Sequence, residues 1–311
     1  MANSKANRHA VIDIGSNTVR LGIFPAPSPH HHRIVSLKAR CRLAEGLDES
    51  GNLSPRGIKL AMETIAGYTA LTTLHRVKAI EVVATSAVRE ARDGKKFARR
   101  LEKKFSFPVH ILTGDQEAKL CARGIISGLS EAAPANGLVA DLGGGSLEIA
   151  EMRKRKVVRT VSLPLGHIWL SEKAHHDVMG IDDIVNEELA KIGWVSHGED
   201  QPIYLSGGGW RKLARIHAAD TARPHVIEGY RLKAKKARKF AKKLSKEVIS
   251  GDRELSSAIV GARVMKCLIK SSNANKVIFS TRGLMDGCHA AAEELAAAKP
   301  AKVSKKVLTS A

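Results

Sequence analysis

Two short glycine-containing stretches with the same layout constrain this chain most. The first is VIDIGSNTVRLGI (Val11–Ile23), and the second is VADLGGGSLEIA (Val139–Ala150). In each stretch, aliphatic residues lead to an aspartate and then to a glycine turn, and alternating apolar residues follow. Glycine is tolerated where the backbone turns tightly or approaches a ligand closely. Each stretch therefore predicts a strand, a tight turn and a second strand, with backbone N–H groups at the turn available to a small anion.

The repeated layout predicts a chain of two similar halves. The two aspartates occupy equivalent positions, and so do the first glycines of the two turns. Strand-like and helix-like segments alternate through the rest of the chain, which is typical of an α/β protein. At 311 residues the chain is long enough for two ordinary domains. We expect an N-terminal domain over residues 1–130 and a C-terminal domain over residues 131–311.

Three further segments carry specific expectations. YLSGGGWRKLARI (Tyr204–Ile216) predicts a short strand that leads through a glycine turn into a helix, whose N-terminus would hold a phosphate oxygen. AIEVVATSAV predicts a strand that ends in a polar turn. RLKAKKARKFAKKLSK (Arg231–Lys246) predicts a helix with one apolar stripe. Trp169 and Trp210 are expected in the core rather than in a base-stacking site.

The charge balance favours a polyanionic partner. The chain has 51 Lys and Arg against 31 Asp and Glu, a net charge of +20, which raises the local concentration of polyanions. Nine basic residues fall in Arg231–Lys246, and this segment is either a solvated helix face or a polyanion-binding face. The candidates for such a face are Arg231, Lys233, Lys235, Lys236 and Lys239.

Several classes of protein are disfavoured by composition. The four cysteines lie far apart with no C-x-x-C pair, which argues against a zinc site or a disulfide framework and fits a reducing compartment. The first residues lack the apolar core of a signal peptide, and no apolar run approaches membrane-spanning length. Aromatic residues make up 4%, too few for a stacking platform for single-stranded nucleic acid. We therefore expect a cytoplasmic protein without a membrane or a specific nucleic-acid partner.

Seven motifs in order, from about residue 10 to about residue 290, resemble the exopolyphosphatase and guanosine pentaphosphate phosphohydrolase family. They are VIDIGSNTVRLGI, VVATSAVREARDG, LTGDQEAKLCARGI, LVADLGGGSLEIA, LPLGHIWL, YLSGGGWRKLARI and FSTRGLMDG. The resemblance implies two ribonuclease H-like domains of the actin, sugar kinase and Hsp70 ATPase superfamily, with the active site in the cleft between them. It also implies the short two-domain form of the family, and we expect a homodimer.

Hydrolysis of a terminal phosphoryl group needs donors for its oxygens, a divalent cation and a carboxylate that orients or deprotonates water. Asp13 and Asp141, at strand ends, are candidates to reach Mg²⁺ directly or through water. By resemblance, Asp141 and Glu148 match carboxylates associated with the metal. The expected phosphate-binding residues, from the glycine turns and the resemblance together, are Ser16, Asn17, Gly143, Gly144, Gly145, Ser146, Gly207 and Gly208.

Glu117 is the expected catalytic base. The position alone favours an acid that merely complements the helix N-terminus, and it is the resemblance that favours the catalytic role. The corresponding family segment usually has two adjacent glutamates before the alanine; here the first is Gln116 and the second is Glu117. Arg89 matches the arginine of its family segment, and a guanidinium can bridge two phosphate oxygens.

The expected activity is that of an exopolyphosphatase, which removes terminal orthophosphate from inorganic polyphosphate with Mg²⁺. A guanosine pentaphosphate 5'-phosphohydrolase is the first alternative. A kinase or ATPase of the same superfamily and a non-catalytic polyphosphate-binding protein are the others. Because the chain is strongly basic, we expect the long polyanion as the substrate.

Overall fold

A computed structural model describes residues 8–25, 33–174, 180–220, 226–245 and 253–298. The N-terminal half forms a five-stranded sheet with the order β3-β2-β1-β4-β5, in which β1, β4 and β5 run parallel and β1, β2 and β3 form an antiparallel meander. Its strands are β1 (Arg8–Ile14), β2 (Thr18–Phe24), β3 (Val35–Arg40), β4 (Val77–Ala84) and β5 (Val109–Ile111). Its helices are α1 (Leu47–Ser50), α2 (Pro55–Leu74), α3 (Ser86–Glu90), α4 (Gly94–Phe105) and α5 (Gly114–Ile126).

The second half repeats this topology. Its sheet has the order β10-β11-β9-β6-β7-β8, in which β6, β9 and β11 run parallel and β6, β7 and β8 form the antiparallel meander. The strands are β6 (Gly137–Leu142), β7 (Leu147–Arg153), β8 (Lys156–Leu163), β9 (Pro202–Gly207), β10 (Tyr230–Lys233) and β11 (Lys276–Phe279). The helices are α6 (His167–Ala174), α7 (Gly180–Ala190), α8 (Gly208–Asp220), α9 (Ala234–Leu244), α10 (Arg253–Ser272) and α11 (Leu284–Ala298). The predicted α/β fold with two ribonuclease H-like halves is confirmed.

The two predicted hairpins close in the same way. In the first, the Gly15 N–H donates to the Thr18 carbonyl at 3.0 Å; in the second, the Gly143 N–H donates to the Ser146 carbonyl at 2.9 Å. The apolar residues that flank both turns are buried, which fixes the register of the strands. Sequence and structure therefore agree on two equivalent turns at the ends of two central strands.

Helices α5 and α11 pack closely against each other beside the two sheets. A Cβ at Gly287 would lie 1.8 Å from the Leu120 carbonyl oxygen, and one at Gly124 would lie 2.0 Å from the Gly283 oxygen. Glycine is therefore required at this crossing. Helix α11 also contacts β1, so the last described helix packs against the N-terminal sheet. The domain boundary after residue 130 stays a prediction.

One local prediction was confirmed and another was wrong. The strand predicted in AIEVVATSAV ends at Ala84, directly before the polar residues of its expected turn, and a short helix that was not predicted follows over Ser86–Glu90. The basic segment is not one helix, because Arg231 and Lys233 lie on β10 and the helix begins at Ala234. On β10, buried Tyr230 and Leu232 alternate with the two exposed cations, and pairing with β11 outweighs helix propensity. Lys246 lies outside the described residues. In the part of the chain that is described, no helix is long and apolar enough to cross a membrane.

Candidate active site

The two glycine turns face each other across a narrow gap. A Cβ at Gly145 would lie 2.4 Å from Ser86 Oγ and 2.9 Å from Ser16 Oγ, and one at Gly144 would lie 3.2 Å from Ser16 Cβ. Any side chain at Gly145 would therefore collide with two hydroxyls. The close approach requires glycine and brings residues of both predicted phosphate loops together. Ser86, at the start of α3, joins them and was missed by the sequence analysis.

Backbone hydrogen bonds hold both turns in place. The Ala44 N–H donates to the Ser16 carbonyl at 3.0 Å, and the His167 N–H donates to the Gly143 carbonyl at 3.0 Å. Burial lowers the pKa of His167, and its Nδ1–H donates to the same Gly143 oxygen at 2.8 Å. Within the described residues, the Gly144 and Gly145 N–H groups donate to no backbone carbonyl. They are therefore available, in fixed positions, to anionic oxygens.

A cleft of about 640 Å³ opens between the turns. Its walls include five of the predicted site residues, Ser16, Arg89, Gly144, Gly145 and Ser146. The other residues that line it are Ala44, Leu47, Asp48, Gly51, Ser86, Ala87, Glu90, Gly114, Ser162, Leu163, Pro164, Ile168, Trp169 and Glu172. The wall has polar side chains, such as Ser16 and Arg89, and also apolar ones, such as Ile168 and Trp169. Trp210 is fully buried as expected. Trp169 is half-buried, packs against the C-terminal core as expected and also lines the cleft, which was not predicted.

The third glycine turn does not line this cleft. Gly207 has a φ of +119°, and a Cβ there would lie 2.4 Å from the Leu142 carbonyl oxygen, so packing of β9 against β6 requires glycine. Gly208 is exposed at the first position of α8, and a Cβ added there would have no atom within 4 Å outside its own neighbours in the chain and helix. The role of both residues in phosphate binding stays a prediction, as it does for Asn17 and Gly143.

Glu117 is placed by the first turn of α5. Thr113 and Gln116 form a capping box, in which the Gln116 side chain accepts from the Thr113 N–H at 2.9 Å. This bond holds Gln116 at the surface, and Glu117, one position later, turns inward and is 7% exposed. Arg89 Nη1 donates to Glu117 Oε2 at 2.8 Å and to the Leu112 carbonyl at 3.0 Å. The two predicted catalytic residues are therefore in direct contact.

Burial raises the pKa of Glu117 to about 7, although the Arg89 hydrogen bond and charge oppose the rise. The negative charges of Asp13 and Asp141 raise it further. Burial alone would lower the pKa of Arg89, but its hydrogen bonds to Glu117 and Glu90 outweigh that effect and raise it. The carboxyl group can therefore exchange a proton near neutral pH while the guanidinium beside it stays charged.

The cross-strand partners of the two turn aspartates differ in charge. Asp13 lies opposite Arg20, with 3.8 Å between Oδ2 and Nε, whereas Asp141 lies opposite Glu148. Burial raises the pKa of Asp13, and the charge of Asp141 adds to this effect. Burial and the charge of Glu117 raise the pKa of Glu148 well above its ordinary range, although Ser146 and Ser162 donate to it. The second turn thus carries two facing carboxyl groups, whereas the first pairs a carboxyl group with a guanidinium.

This donor set suits a hard divalent cation. Carboxylate oxygens are the ligands that Mg²⁺ prefers, and Mg²⁺ usually takes one or two carboxylates, with phosphate oxygens and waters as its other ligands. In the described ranges, no group of three or more His, Cys, Asp or Glu side chains is spaced to hold a metal ion by itself. Asp13, Asp141 and Glu148 as joint ligands therefore stay a prediction, and a bound Mg²⁺ would take its other oxygen ligands from water or the substrate.

Three arginines beside the aspartates were missed. The charge of Arg20, Arg33 and Arg211 acts on Asp13 or on Asp141. Burial, together with the charge of Arg20, lowers the pKa of Arg211 to about 10, and Arg33 forms an ion pair with Asp286. Arg20 could have been found from the sequence, because it occupies in the first hairpin the position that Glu148 occupies in the second.

The predicted polyanion-binding residues lie elsewhere. All five are exposed, and none of them lines the described cleft. They are Arg231 and Lys233 on β10 and Lys235, Lys236 and Lys239 on α9. Ala237, Ala241 and Leu244 bury the opposite face of α9. Their part in binding stays a prediction.

Comparison with known proteins points to one family. The model of the Ppx/GppA phosphatase family matches residues 25–294. Exopolyphosphatase 1 of Mycobacterium tuberculosis and that of Mycobacterium bovis are 29% identical to this chain over 222 residues, which is 68% of this chain and 64% of each relative. The match thus spans less than two thirds of the length of these relatives.

Two solved structures share the fold. The Ppx/GppA family member from Aquifex aeolicus has a TM-score of 0.78 at 23% identity, and the match covers 94% of this chain and 99% of that one. An exopolyphosphatase from Cytophaga hutchinsonii has a TM-score of 0.81 at 21% identity, with 92% and 98% covered. The likeness confirms the two-domain, actin-like ATPase fold. Because the family model matches most of the chain and this fold agrees with it, the chain belongs to the Ppx/GppA phosphatase family.

Proposed function

We propose that this protein is an exopolyphosphatase, which hydrolyses the terminal phosphoanhydride bond of inorganic polyphosphate. One observation carries the proposal. Glu117, whose pKa is about 7, accepts a hydrogen bond from Arg89, and Arg89 lines the cleft between the two glycine turns. The family and the names of the mycobacterial relatives support a phosphatase of this substrate class. The net charge of +20 supports a long polyanion.

In this proposal, the turns and Arg89 bind the terminal phosphoryl group. The N–H groups of Gly144 and Gly145 and the hydroxyl of Ser16 donate to its oxygens, and the Arg89 guanidinium donates to two of them. Mg²⁺, when held by Asp141 with Asp13 or Glu148, offsets the charge on the phosphate oxygens. Since the N–H groups are already oriented, little reorganisation is needed when charge develops.

Glu117 is the proposed general base. A water oxygen attacks the terminal phosphorus, the bridging P–O bond breaks, and the shortened chain leaves with the bonding electron pair. The proton of the water passes to the Glu117 carboxylate and then to solvent. A pKa of about 7 suits this role, because a large share of the carboxyl groups is ionised at neutral pH while the group still binds a proton well.

The direct test is release of orthophosphate by the purified protein from long-chain polyphosphate, guanosine pentaphosphate and ATP, each with Mg²⁺ and with a chelator. Release from polyphosphate that needs Mg²⁺ supports the proposal. Release from ATP alone would favour the ATPase alternative. Binding of polyphosphate without release from any substrate would favour the non-catalytic alternative.

Guanosine pentaphosphate hydrolysis is the second candidate, favoured by the apolar part of the cleft wall. Leu47, Pro164, Ile168 and Trp169 lie on the same cleft as the phosphate loops, and an aromatic side chain can stack on a purine base. Trp169→Ala should therefore lower kcat/KM for guanosine pentaphosphate about tenfold if this candidate is correct, since one stacked base contributes roughly 1–3 kcal/mol. An equal effect on both substrates would count against it.

A homodimer and a cytoplasmic location complete the proposal. Cys41, Cys121, Cys267 and Cys288 are all free and buried, which supports a reducing compartment. Light scattering during size-exclusion chromatography measures the mass directly, and twice the monomer mass of 33.5 kDa is expected. Cell fractionation tests the location, and recovery with membranes would contradict it.

A further inference from the structure

Helix α4 carries a continuous row of basic side chains that the active site does not use. Its buried face consists of Phe97, Ala98 and Leu101 together with Gly94, and these residues pack against the N-terminal core. The opposite face has six exposed cations at spacings of four residues along two adjacent rows. We call this face the α4 basic stripe: Lys95, Lys96, Arg99, Arg100, Lys103 and Lys104.

None of the six cations of the α4 basic stripe forms an ion pair within 4.0 Å with an acid of the described part of the chain. Lys104 instead lies over the Phe105 ring, 5.4 Å from its centroid. Cations four residues apart repel one another, and Lys95 and Lys96 lie in the first turn of α4, where a helix N-terminus disfavours positive charge even with Asp93 at the N-cap. A bound polyanion would relieve both effects.

The stripe begins next to the cleft. A Cβ at Gly94 would lie 1.8 Å from the Val88 carbonyl oxygen, so the start of α4 packs directly on α3, which holds Arg89. Arg92, between the two helices, packs on Gly51: a Cβ placed on Gly51 would lie 2.9 Å from Arg92 Nε. Gly51 in turn lines the cleft. Arg89 in the cleft, Arg92 beside it and the cations of the α4 basic stripe therefore follow one another along this side of the protein.

The far end of the stripe borders a groove of about 230 Å³ between α2 and α4. Arg100 and Lys104 line this groove with Lys59 of α2, and Glu63 is the acid among its lining residues. With a rise of 1.5 Å per residue, the twelve residues of α4 span about 18 Å. A ligand that follows the stripe is therefore long, and a short phosphate compound in the cleft does not reach its far end.

We propose that the α4 basic stripe binds the distal part of a long inorganic polyphosphate chain whose terminal phosphoryl group lies in the cleft; the identity of the chain rests on the proposed function. Inorganic polyphosphate offers negative charge at every unit and no bases, and the stripe offers charge without exposed aromatic side chains. Single-stranded RNA is less suited, because its binding sites combine cations with aromatic stacking platforms. The stripe thus selects for chain length rather than for the reacting group.

The test compares Lys96→Gln/Arg99→Gln/Lys103→Gln with a control of equal charge change, Lys78→Gln/Lys154→Gln/Lys156→Gln, whose lysines are exposed on other surfaces. Glutamine is a good helix former, so α4 should fold in the variant. Phosphate release is measured on long-chain polyphosphate and on tripolyphosphate. With roughly twofold lost per exposed ionic contact, we expect the ratio of KM for the long chain to KM for the short chain to rise about tenfold in the α4 variant only.

Binding of long-chain polyphosphate in the Glu117→Gln background separates this inference from the proposed function. If the wild-type protein hydrolyses no substrate but the α4 substitutions weaken binding and flatten its salt dependence, the inference stands and the proposed activity fails. Equal changes in the α4 and control variants, or an unchanged ratio of the two KM values, would overturn the inference. So would binding of single-stranded RNA that depends on α4 while binding of polyphosphate does not.

Discussion

Replacing Glu117 with glutamine should make stability depend less on pH. The ordinary pKa of this carboxyl group is 4.5, and burial raises it to about 7 in the folded protein. The folded state therefore binds the proton more tightly than the unfolded chain does. The free energy of stabilisation that this group contributes is therefore fully present below pH 4.5 and is lost as the pH rises through about 7. At about 1.36 kcal/mol per pH unit, the ionised carboxylate costs roughly 3 kcal/mol above pH 8.

The assay is urea unfolding of the wild-type protein and of Glu117→Gln at pH 5 and at pH 8. Glutamine has nearly the same shape, accepts a hydrogen bond from Arg89 and does not ionise. The free energy of unfolding of the variant, relative to the wild type, should therefore increase by roughly 2–3 kcal/mol between the two pH values. A gain in stability with a loss of catalysis is expected of a group whose ionised form is buried for function.

Asp115→Asn is the matched control. Asp115 lies two positions earlier on α5, is exposed, and has a pKa lowered by hydrogen bonds from Lys119 and Thr160. Its contribution has the opposite sign and is lost only as the pH falls through the acidic range, so this variant should not change relative to the wild type between pH 5 and pH 8. If the difference between Glu117→Gln and wild type is also constant over that range, Glu117 titrates normally in the folded protein and the reasoning is refuted.

Three further predictions concern the cleft. Arg89→Gln should move the acid limb of the profile of kcat/KM against pH upward by about one unit or more, because the guanidinium lowers the pKa of Glu117; an unmoved limb would contradict this. Gln116→Glu should leave phosphate release nearly unchanged, since glutamate also completes a capping box; a large change would place Gln116 in the reaction. Gly145→Ala should lower kcat/KM at least tenfold, because the added methyl group forces the two turns apart. Gly67→Ala in α2 is the control: a Cβ there has open space around it, so this change should leave kcat/KM unchanged and raise the free energy of unfolding in urea by about 0.5–1 kcal/mol.

The hairpins could be predicted from sequence because their signals are local. Each needs only a buried strand, a tight turn and a second strand, and these are encoded within thirteen residues or fewer. Contact between Glu117 and Arg89 joins residues 28 positions apart, and only the resemblance to a family suggested that both face one site. The capping box explains afterwards why Glu117 rather than Gln116 points inward.

The remaining features depend on tertiary packing. Trp169 lies partly in the cleft because α6 presents it at the rim, and no periodicity distinguishes a half-buried aromatic residue from a core one. The short strand β10 forms because β11 offers an edge to pair with, which outweighs the helical pattern of the basic segment. The return of α11 to β1 was also invisible, because contacts of such long sequence separation leave no local pattern.

The measurement that tests the central claim most directly is the single-turnover rate of orthophosphate release from long-chain polyphosphate by Glu117→Gln, with the dissociation constant measured on the same protein. The account predicts a rate at least about a hundredfold below that of the wild type and of Asp115→Asn, with binding nearly unchanged. A Glu117→Gln protein that releases phosphate at the wild-type rate would contradict the assignment of Glu117 as the base.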